Sequence, residues 1–250
     1  MDSTKLENLN LTELKEIAKS MDLSINGKKK GEIIDQLISK FTEFENYKKG
    51  ILQKYKKGEI LGKPGKEGTV FNSTYRGREY AMKVFKEKKS VDFLKIEAEL
   101  LKIGAKAGIS PKVKEVNTVF KFIVMDKINQ NLFDLLKEWK GELSNHFQTE
   151  IVRIVMTLDK IKVFHGDPNP LNFMVGNGET LYIIDYGFGK KIDEKLVKKY
   201  GTKEINMKFM ILGFILKLRE IFKPEIFGKI SYPILSKYLS AEDRHRFDIE

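Results

Sequence analysis

The stretch HGDPNPLNF, residues 165–173, sets a histidine, an aspartate, two prolines and two asparagines between two apolar runs, IVRIVMTL (151–158) and IIDYG (183–187). Prolines fix the backbone and hold such a loop in shape. The segment VGNGET (175–180) then reads as a turn between two short strands, 173–175 and 181–184, the second leading into Asp185. A hairpin of that kind brings residue 172 beside residue 185. Asp167, Asn172 and Asp185 are therefore expected in one pocket, and oxygen donors of this kind suit Mg²⁺ together with phosphate and water.

Working outward, the pattern changes at residue 59. TVFNSTY and REYAMKVFK read as two strands joined at Arg76-Gly77-Arg78. Helical periodicity continues at 91–106, 131–140 and 145–163, with strands at 112–117 and 119–125. Residues 193–250 read as mostly helical. Strands first and helices later predict an α+β fold, a sheet-rich part and then a helix-rich part. Upstream, residues 6–40 read as two short helices around the turn DLSINGKKKG, with Asn10 and Glu13 spaced as a capping box. The expected organisation is 1–41 as a small helical unit, 42–58 as a charged linker that could be helical, and 59–250 as the larger domain.

Composition narrows the classes. The chain has 250 residues, enough for one large domain or a medium and a small one, and no cysteine. Disulfides, cysteine zinc sites and thiol catalysis are excluded, and an intracellular, reducing compartment is the expectation. The first ten residues are polar and acidic, unlike a signal peptide. The longest apolar run, FMILGFIL (209–216), is far short of the about 20 residues that cross a bilayer, so a buried helix and no membrane span are expected. The net charge of +11 favours polyanions as partners. It is spread along the chain: residues 1–58 hold 12 lysines and 9 acids.

Lys28, Lys29 and Lys30 stand at the start of the second helix. A helix N-terminus already carries partial positive charge, so three cations there make sense if a phosphate arrives; the plainer reading is a solvated basic turn. The whole stretch from Leu6 to Phe41 resembles the SAP motif, a helical hairpin. The resemblance rests on Leu6, Leu9, Glu13-Leu14-Lys15, Leu23, Gly27-Lys28-Lys29, Ile33-Ile34 and Leu37. It implies DNA as a partner, bound through Lys28, Lys29 and Lys30.

Residues 59 to about 192 resemble the protein kinase-like phosphotransferases. The signature appears in order: a glycine-rich loop, LGKPGKEGTVF; a strand lysine, Lys83; a helix glutamate, Glu97 with Glu99 as runner-up; His165-Gly166-Asp167 with Asn172; and Asp185-Tyr186-Gly187. The resemblance implies a two-lobed domain, 59–128 and 129–250, with a reduced second lobe, and the cofactors ATP and Mg²⁺. It implies that Lys83, held by Glu97, orients phosphates; that Gly65 and Gly68 let the loop backbone approach them; that Asn172 and Asp185 hold the metal; and that Asp167 orients the attacking hydroxyl. His165 is expected to brace the loop. Val70, Ala81 and Met174 would sandwich adenine, with Met125 behind it and the backbone of Asp126 and Ile128 alongside.

The departures are specific. The loop reads G-x-x-G-x-x-G with Pro64 inside it. Gly166 stands where the family has arginine, and Asn169 where serine/threonine kinases carry a lysine, a charge that Lys190 or Lys191 could supply. Lys208 falls at the family's buried aspartate in the central helix. Thr202 is the sole serine or threonine between Gly187 and Asn206, so activation by loop phosphorylation is not expected. The H-G-D triplet resembles small atypical kinases and aminoglycoside or choline phosphotransferases, and a large DNA virus is the suggested source, with host nucleus or cytoplasm as the location. The leading expectation is a serine/threonine protein kinase brought to DNA. The alternatives are a small-molecule phosphotransferase and a DNA-binding pseudokinase scaffold.

Overall fold

A computed structural model describes residues 6–223 and 231–249. The polar character read for the first five residues, and the helix expected across 224–230, lie outside the described residues. The chain divides into two units, Met1–Lys57 and Gly58–Glu250.

In the first unit, α1 (Leu11–Ser20) starts where Asn10 satisfies the free amides of the first turn. The Asn10 side chain accepts from the amides of Thr12 and Glu13, at 2.9 and 3.0 Å, and the Glu13 carboxylate accepts from the Asn10 amide at 2.8 Å. This is the expected capping box. Helix α2 (Lys30–Lys54) is longer than the periodicity indicates. It runs on through residues 42–54, where a linker is expected, because no proline interrupts that stretch. Leu6, Leu14 and Ala18 bury against Ile33, Ile34 and Leu37. At about 1.5–3 kcal/mol per large apolar side chain, this small core is what holds the hairpin together.

The second unit opens with a five-stranded sheet of order β1-β2-β3-β5-β4, comprising β1 (Lys56–Ile60), β2 (Gly68–Tyr75), β3 (Arg78–Phe85), β4 (Val113–Asn117) and β5 (Phe122–Asp126). The division between the units falls within β1. β3 is antiparallel to both β2 and β5, with Val70 opposite Lys83 and Met125 opposite Ala81. Between β3 and β4 runs α3 (Val91–Lys106), started by the Ser90 hydroxyl, which accepts from the Phe93 amide at 3.1 Å. Its buried face includes Leu94, Glu97, Ala98, Leu100 and Leu101. One acid thus shares a face with the apolar residues that dock the helix.

Helices dominate the rest of the chain: β6 (Gln130–Asn131), α4 (Leu132–Glu138), α5 (Asn145–Lys160), β7 (Val163–Phe164), β8 (Phe173–Val175), β9 (Leu181–Ile183), β10 (Lys190–Lys191), α6 (Glu194–Tyr200), α7 (Ile205–Ile221) and α8 (Ala241–Phe247). β8 and β9 form the expected hairpin, with Phe173 opposite Ile183. The apolar run at 209–216 lies in α7, whose Met210, Ile211, Phe214, Ile215 and Leu218 are buried. One continuous core joins Leu94, Leu100 and Ile123 from the sheet-rich part to Ile151, Phe173 and Phe214 from the helical part. The mixed α+β class is as expected. No described helix is long and apolar enough to cross a membrane.

Candidate active site

Side chains alternate along a strand, so Ala81 and Lys83 share a face of β3. Lys83 is only 7% exposed, and its Nζ lies 2.6 Å from Glu97 Oε1, 2.8 Å from Asp185 Oδ1 and 3.6 Å from Glu67 Oε2. Of the two candidate helix acids, Glu97 is therefore the partner. Glu99 is exposed and pairs with Lys191 at 2.6 Å. With Lys191 so engaged and Lys190 over the Phe164 ring, neither is placed by a contact near Lys83 or Asp167.

Burial alone would lower the pKa of Lys83, but the Glu97 and Asp185 carboxylates hold it above its ordinary value, so the cation is firmly kept. Burial pushes Glu97 up to about 7 against the pull of Lys83. Burial acts in the same sense on Asp185, yet Lys83 outweighs it and keeps that carboxyl below its usual range. Three acids thus surround the Lys83 ammonium, with Lys89 3.4 Å from Glu67 as a second cation, and the remaining negative charge would welcome another.

The catalytic-loop candidates are built around buried hydrogen bonds. His165 is fully buried, and its Nε2 lies 3.0 Å from the Ile184 carbonyl, which makes Nε2 the donor. Burial lowers its pKa, so the ring is neutral and braces the loop. The Asn169 side chain accepts from the Leu171 amide at 3.1 Å and caps the short 3₁₀ turn Pro170–Asn172, while its own amide donates to Asp167 Oδ1 at 3.2 Å. The Asn172 Nδ2 donates to the Asp167 carbonyl at 3.3 Å, which leaves its side-chain oxygen Oδ1 as the atom it could offer a metal. The Ile184 amide donates to the Asn172 carbonyl at 2.9 Å, so the β8–β9 hairpin does set Asn172 beside Asp185.

Two backbone positions explain departures from the kinase pattern. Gly166 has φ +81°, and a Cβ there would press on the Phe188 carbonyl at 3.0 Å, so arginine would be strained where the family uses it. Asp185 itself sits at φ +63°, a left-handed conformation that aspartate tolerates better than most residues. The buried Tyr186 hydroxyl has a partner: Ser110 Oγ lies 2.7 Å away, in space left by Gly104.

Sequence reasoning misses three residues. Asn206 is fully buried; its Oδ1 accepts from the His165 amide at 3.0 Å, and its Nδ2 donates to the Val163 carbonyl at 2.8 Å and to Asp159 Oδ1 at 2.7 Å. Asp159 also accepts from the amides of Asn206 and Met207, at 2.9 and 3.0 Å, at the start of α7. Lys208, aligned with the family's buried aspartate, is instead exposed and donates to the Tyr200 carbonyl at 3.3 Å. The physical reason is position: residue 206 is on the inward first turn of α7, and a lysine two residues on is carried to the outside. The third residue is Glu67, within the glycine-rich loop. Gly213 completes the support, since its missing side chain leaves room for Pro168 of the loop.

Around the glycine-rich loop, the Gly65 amide donates to the Gly68 carbonyl at 2.9 Å, and a Cβ on Gly68 would collide with the Val84 carbonyl. Val70 and Ala81 are partly exposed on neighbouring strands, and Met125 is 8% exposed. The Asp126 amide donates to the Lys112 carbonyl at 3.0 Å and its carboxylate pairs with Lys114 at 2.9 Å, so that amide is not offered to a base. Ile128 is partly buried, and Met174 pairs with Asn131 across β6 and β8. In the first unit, Lys29 and Lys30 are exposed and Lys28 partly so. The Lys29 amide donates to Glu32 at 2.6 Å and Lys30 Nζ to the Glu7 carbonyl at 2.9 Å, so these lysines belong to a folded turn.

Residues 105–209 match the ABC1 atypical kinase-like domain. The chain is 26% identical over 149 residues to the serine/threonine-protein kinase TIO of Arabidopsis thaliana, covering 56% of this chain and 11% of that protein. It is 24% identical over 183 residues to the serine/threonine-protein kinase PKH2 of Candida albicans, covering 68% of this chain and 19% of that protein. The chain therefore spans at most about a fifth of the length of these relatives. These likenesses support a kinase-like phosphotransferase.

Proposed function

We propose that the second unit transfers phosphate from ATP to serine or threonine hydroxyls of proteins, and that the first unit brings it to DNA. The observation that carries the reading is the ion-pair set of the buried Lys83 and Glu97 with the exposed Asp185, beside which the β8–β9 hairpin sets Asn172 of the Asp167 loop. The residues suit a magnesium–nucleotide complex: three acids face the two cations Lys83 and Lys89, and Asn172 keeps its side-chain oxygen to offer. Asp185 and Asn172 would hold the ion, which when bound neutralises phosphate charge.

The chain's own groups then divide the work. Lys83, kept charged and fixed by Glu97, orients the phosphates. Gly65 and Gly68 bring loop backbone close to them. Asp167 orients the attacking hydroxyl and accepts its proton, with Asn169 fixing its carboxylate and Asn172 its backbone. The contribution is positioning and charge stabilisation rather than covalent chemistry. Val70, Ala81, Met125, Ile128 and Met174 would surround the base. The similarity to two serine/threonine-protein kinases favours protein as the acceptor. Lys28, Lys29 and Lys30, on a turn at the head of α2, support DNA as the partner of the first unit.

Asn169, in place of a lysine, keeps a second reading in view, transfer to a small alcohol. Incubation with labelled ATP and Mg²⁺, beside Asp167→Ala and Lys83→Met, separates the possibilities. Label on basic or acidic protein substrates that disappears in both variants supports the proposal. Label only on small alcohols supports the second reading, and nucleotide binding without transfer indicates a scaffold.

A further inference from the structure

The carboxylate of Glu67 lies between two lysines, with Oε2 3.6 Å from Lys83 Nζ and Oε1 3.4 Å from Lys89 Nζ. Its side chain is 12% exposed although it comes from a loop whose neighbours Lys66 and Gly65 are exposed. It seats against Gly187, where any Cβ would strike the carboxylate. It is also the third acid around Lys83, beside Glu97 and Asp185. No apolar gain explains sending an acid inward there. Its Oε2 is buried without a hydrogen bond, an arrangement that disfavours a charged oxygen unless a cation lies close by.

An anion held between two ammonium groups is what a nucleotide phosphate requires. We propose that Glu67 occupies the phosphate seat between Lys83 and Lys89, and that a nucleotide binds by exchanging a phosphate for this carboxylate. The inference rests on the reading of the second unit as a nucleotide-binding phosphotransferase, and it adds two determinants to that site. Glu67 is the internal competitor. Lys89, from the turn between β3 and α3, is a second phosphate-binding cation in a chain whose position 169 is a neutral asparagine. Carboxylate and phosphate cannot share the seat, because two anions between the same lysines repel at this range. The tip of the glycine-rich loop must therefore shift to withdraw Glu67 when nucleotide enters, while Gly68, paired with Phe85 at the start of β2, stays in the sheet.

The test measures the affinity of the full chain for a non-hydrolysable ATP analogue with Mg²⁺, by calorimetry. Glu67→Gln removes the charge. Glu67→Asp keeps it but withdraws it by one methylene. Both variants should bind roughly tenfold tighter than the native chain, the size expected for releasing a charge-assisted contact. Lys89→Met should weaken binding several-fold in the Glu67→Gln background. Equal or weaker binding by both Glu67 variants, while the native chain binds and Lys83→Met does not, overturns the exchange and leaves the phosphotransferase reading standing. Absence of binding by every chain whose melting curve is normal overturns both.

Discussion

Lys83 Nζ sits 2.6 Å from the Glu97 carboxylate, and the two residues are 7% and 3% exposed. A pair so buried contributes little net stability, since desolvation offsets attraction, and its value lies in fixing the lysine. Replacing Lys83 with Met leaves Glu97 able to take a proton rather than remain charged. Phosphoryl transfer should fall on the order of a hundredfold or more, with melting shifted only by a few degrees. A fall in transfer that merely tracks lost folding, read by calorimetry beside the rate assay, would show the lysine to be structural.

Asn206 ties α7 to the loop that carries Asp167. Asn206→Ala strands the His165 amide and the Val163 carbonyl in a buried setting. Leaving such groups unpaired costs about 1–3 kcal/mol each, so denaturant unfolding should show a loss of roughly 2–6 kcal/mol. Turnover should drop while nucleotide affinity holds within a few-fold. Unchanged stability would mean that the network does not brace the loop.

The pH dependence of stability carries the signature of His165. Its folded pKa lies below the ordinary 6.5, so the unfolded chain takes a proton that the folded chain refuses. That contribution is fully present above 6.5 and is lost as pH falls below it. Glu97 acts oppositely: raised from 4.5 to about 7, its contribution is full below 4.5 and fades as pH rises through 7. His165→Gln should therefore flatten the acid-side fall of chemical-denaturation stability relative to the native chain. An identical slope in both proteins would place the acid sensitivity elsewhere.

For the first unit, affinity for duplex DNA should fall steeply with salt as counterions are released, with no strong sequence preference. Lys28→Glu with Lys29→Glu should abolish binding. Lys30→Ala should matter less, because its ammonium is already held by the Glu7 carbonyl. Fluorescence anisotropy at two salt concentrations reads this out. Binding that is absent, or indifferent to those charges, would rule DNA out as the partner.

The parts of this protein that are local in sequence are legible there. The capping box at Asn10, helix α3 with Glu97, and the β8–β9 hairpin each arise from spacing within about a dozen residues. The resemblance to the kinase-like pattern also brings out Lys83, Asp167, Asn172 and Asp185, of which Lys83 and Asp185 are 102 positions apart and meet as an ion pair. The features that escape depend on three-dimensional neighbours. Asn206 and Asp159 lie 47 positions apart and meet only through the packing of α5 against α7. Glu67 looks like one more charge in a glycine-rich loop, and nothing in spacing says that it turns inward toward Lys83. The end of α2 escapes because charged, weakly periodic residues continue a helix whenever nothing breaks it. Gly166 is a case where the departure is visible and its cause is not, since the left-handed backbone at that position appears only in the fold.

The central claim is that a divalent ion and a nucleotide bind together at Lys83, Asn172 and Asp185. A crystal structure of the full chain with Mn²⁺ and a non-hydrolysable ATP analogue tests it directly. The predicted result is anomalous signal from an ion ligated by Asp185 and the Asn172 side-chain oxygen Oδ1, with Lys83 on the phosphates and Glu97 still on Lys83. An ion or nucleotide seated away from these four residues, in a chain that binds both tightly, would contradict it.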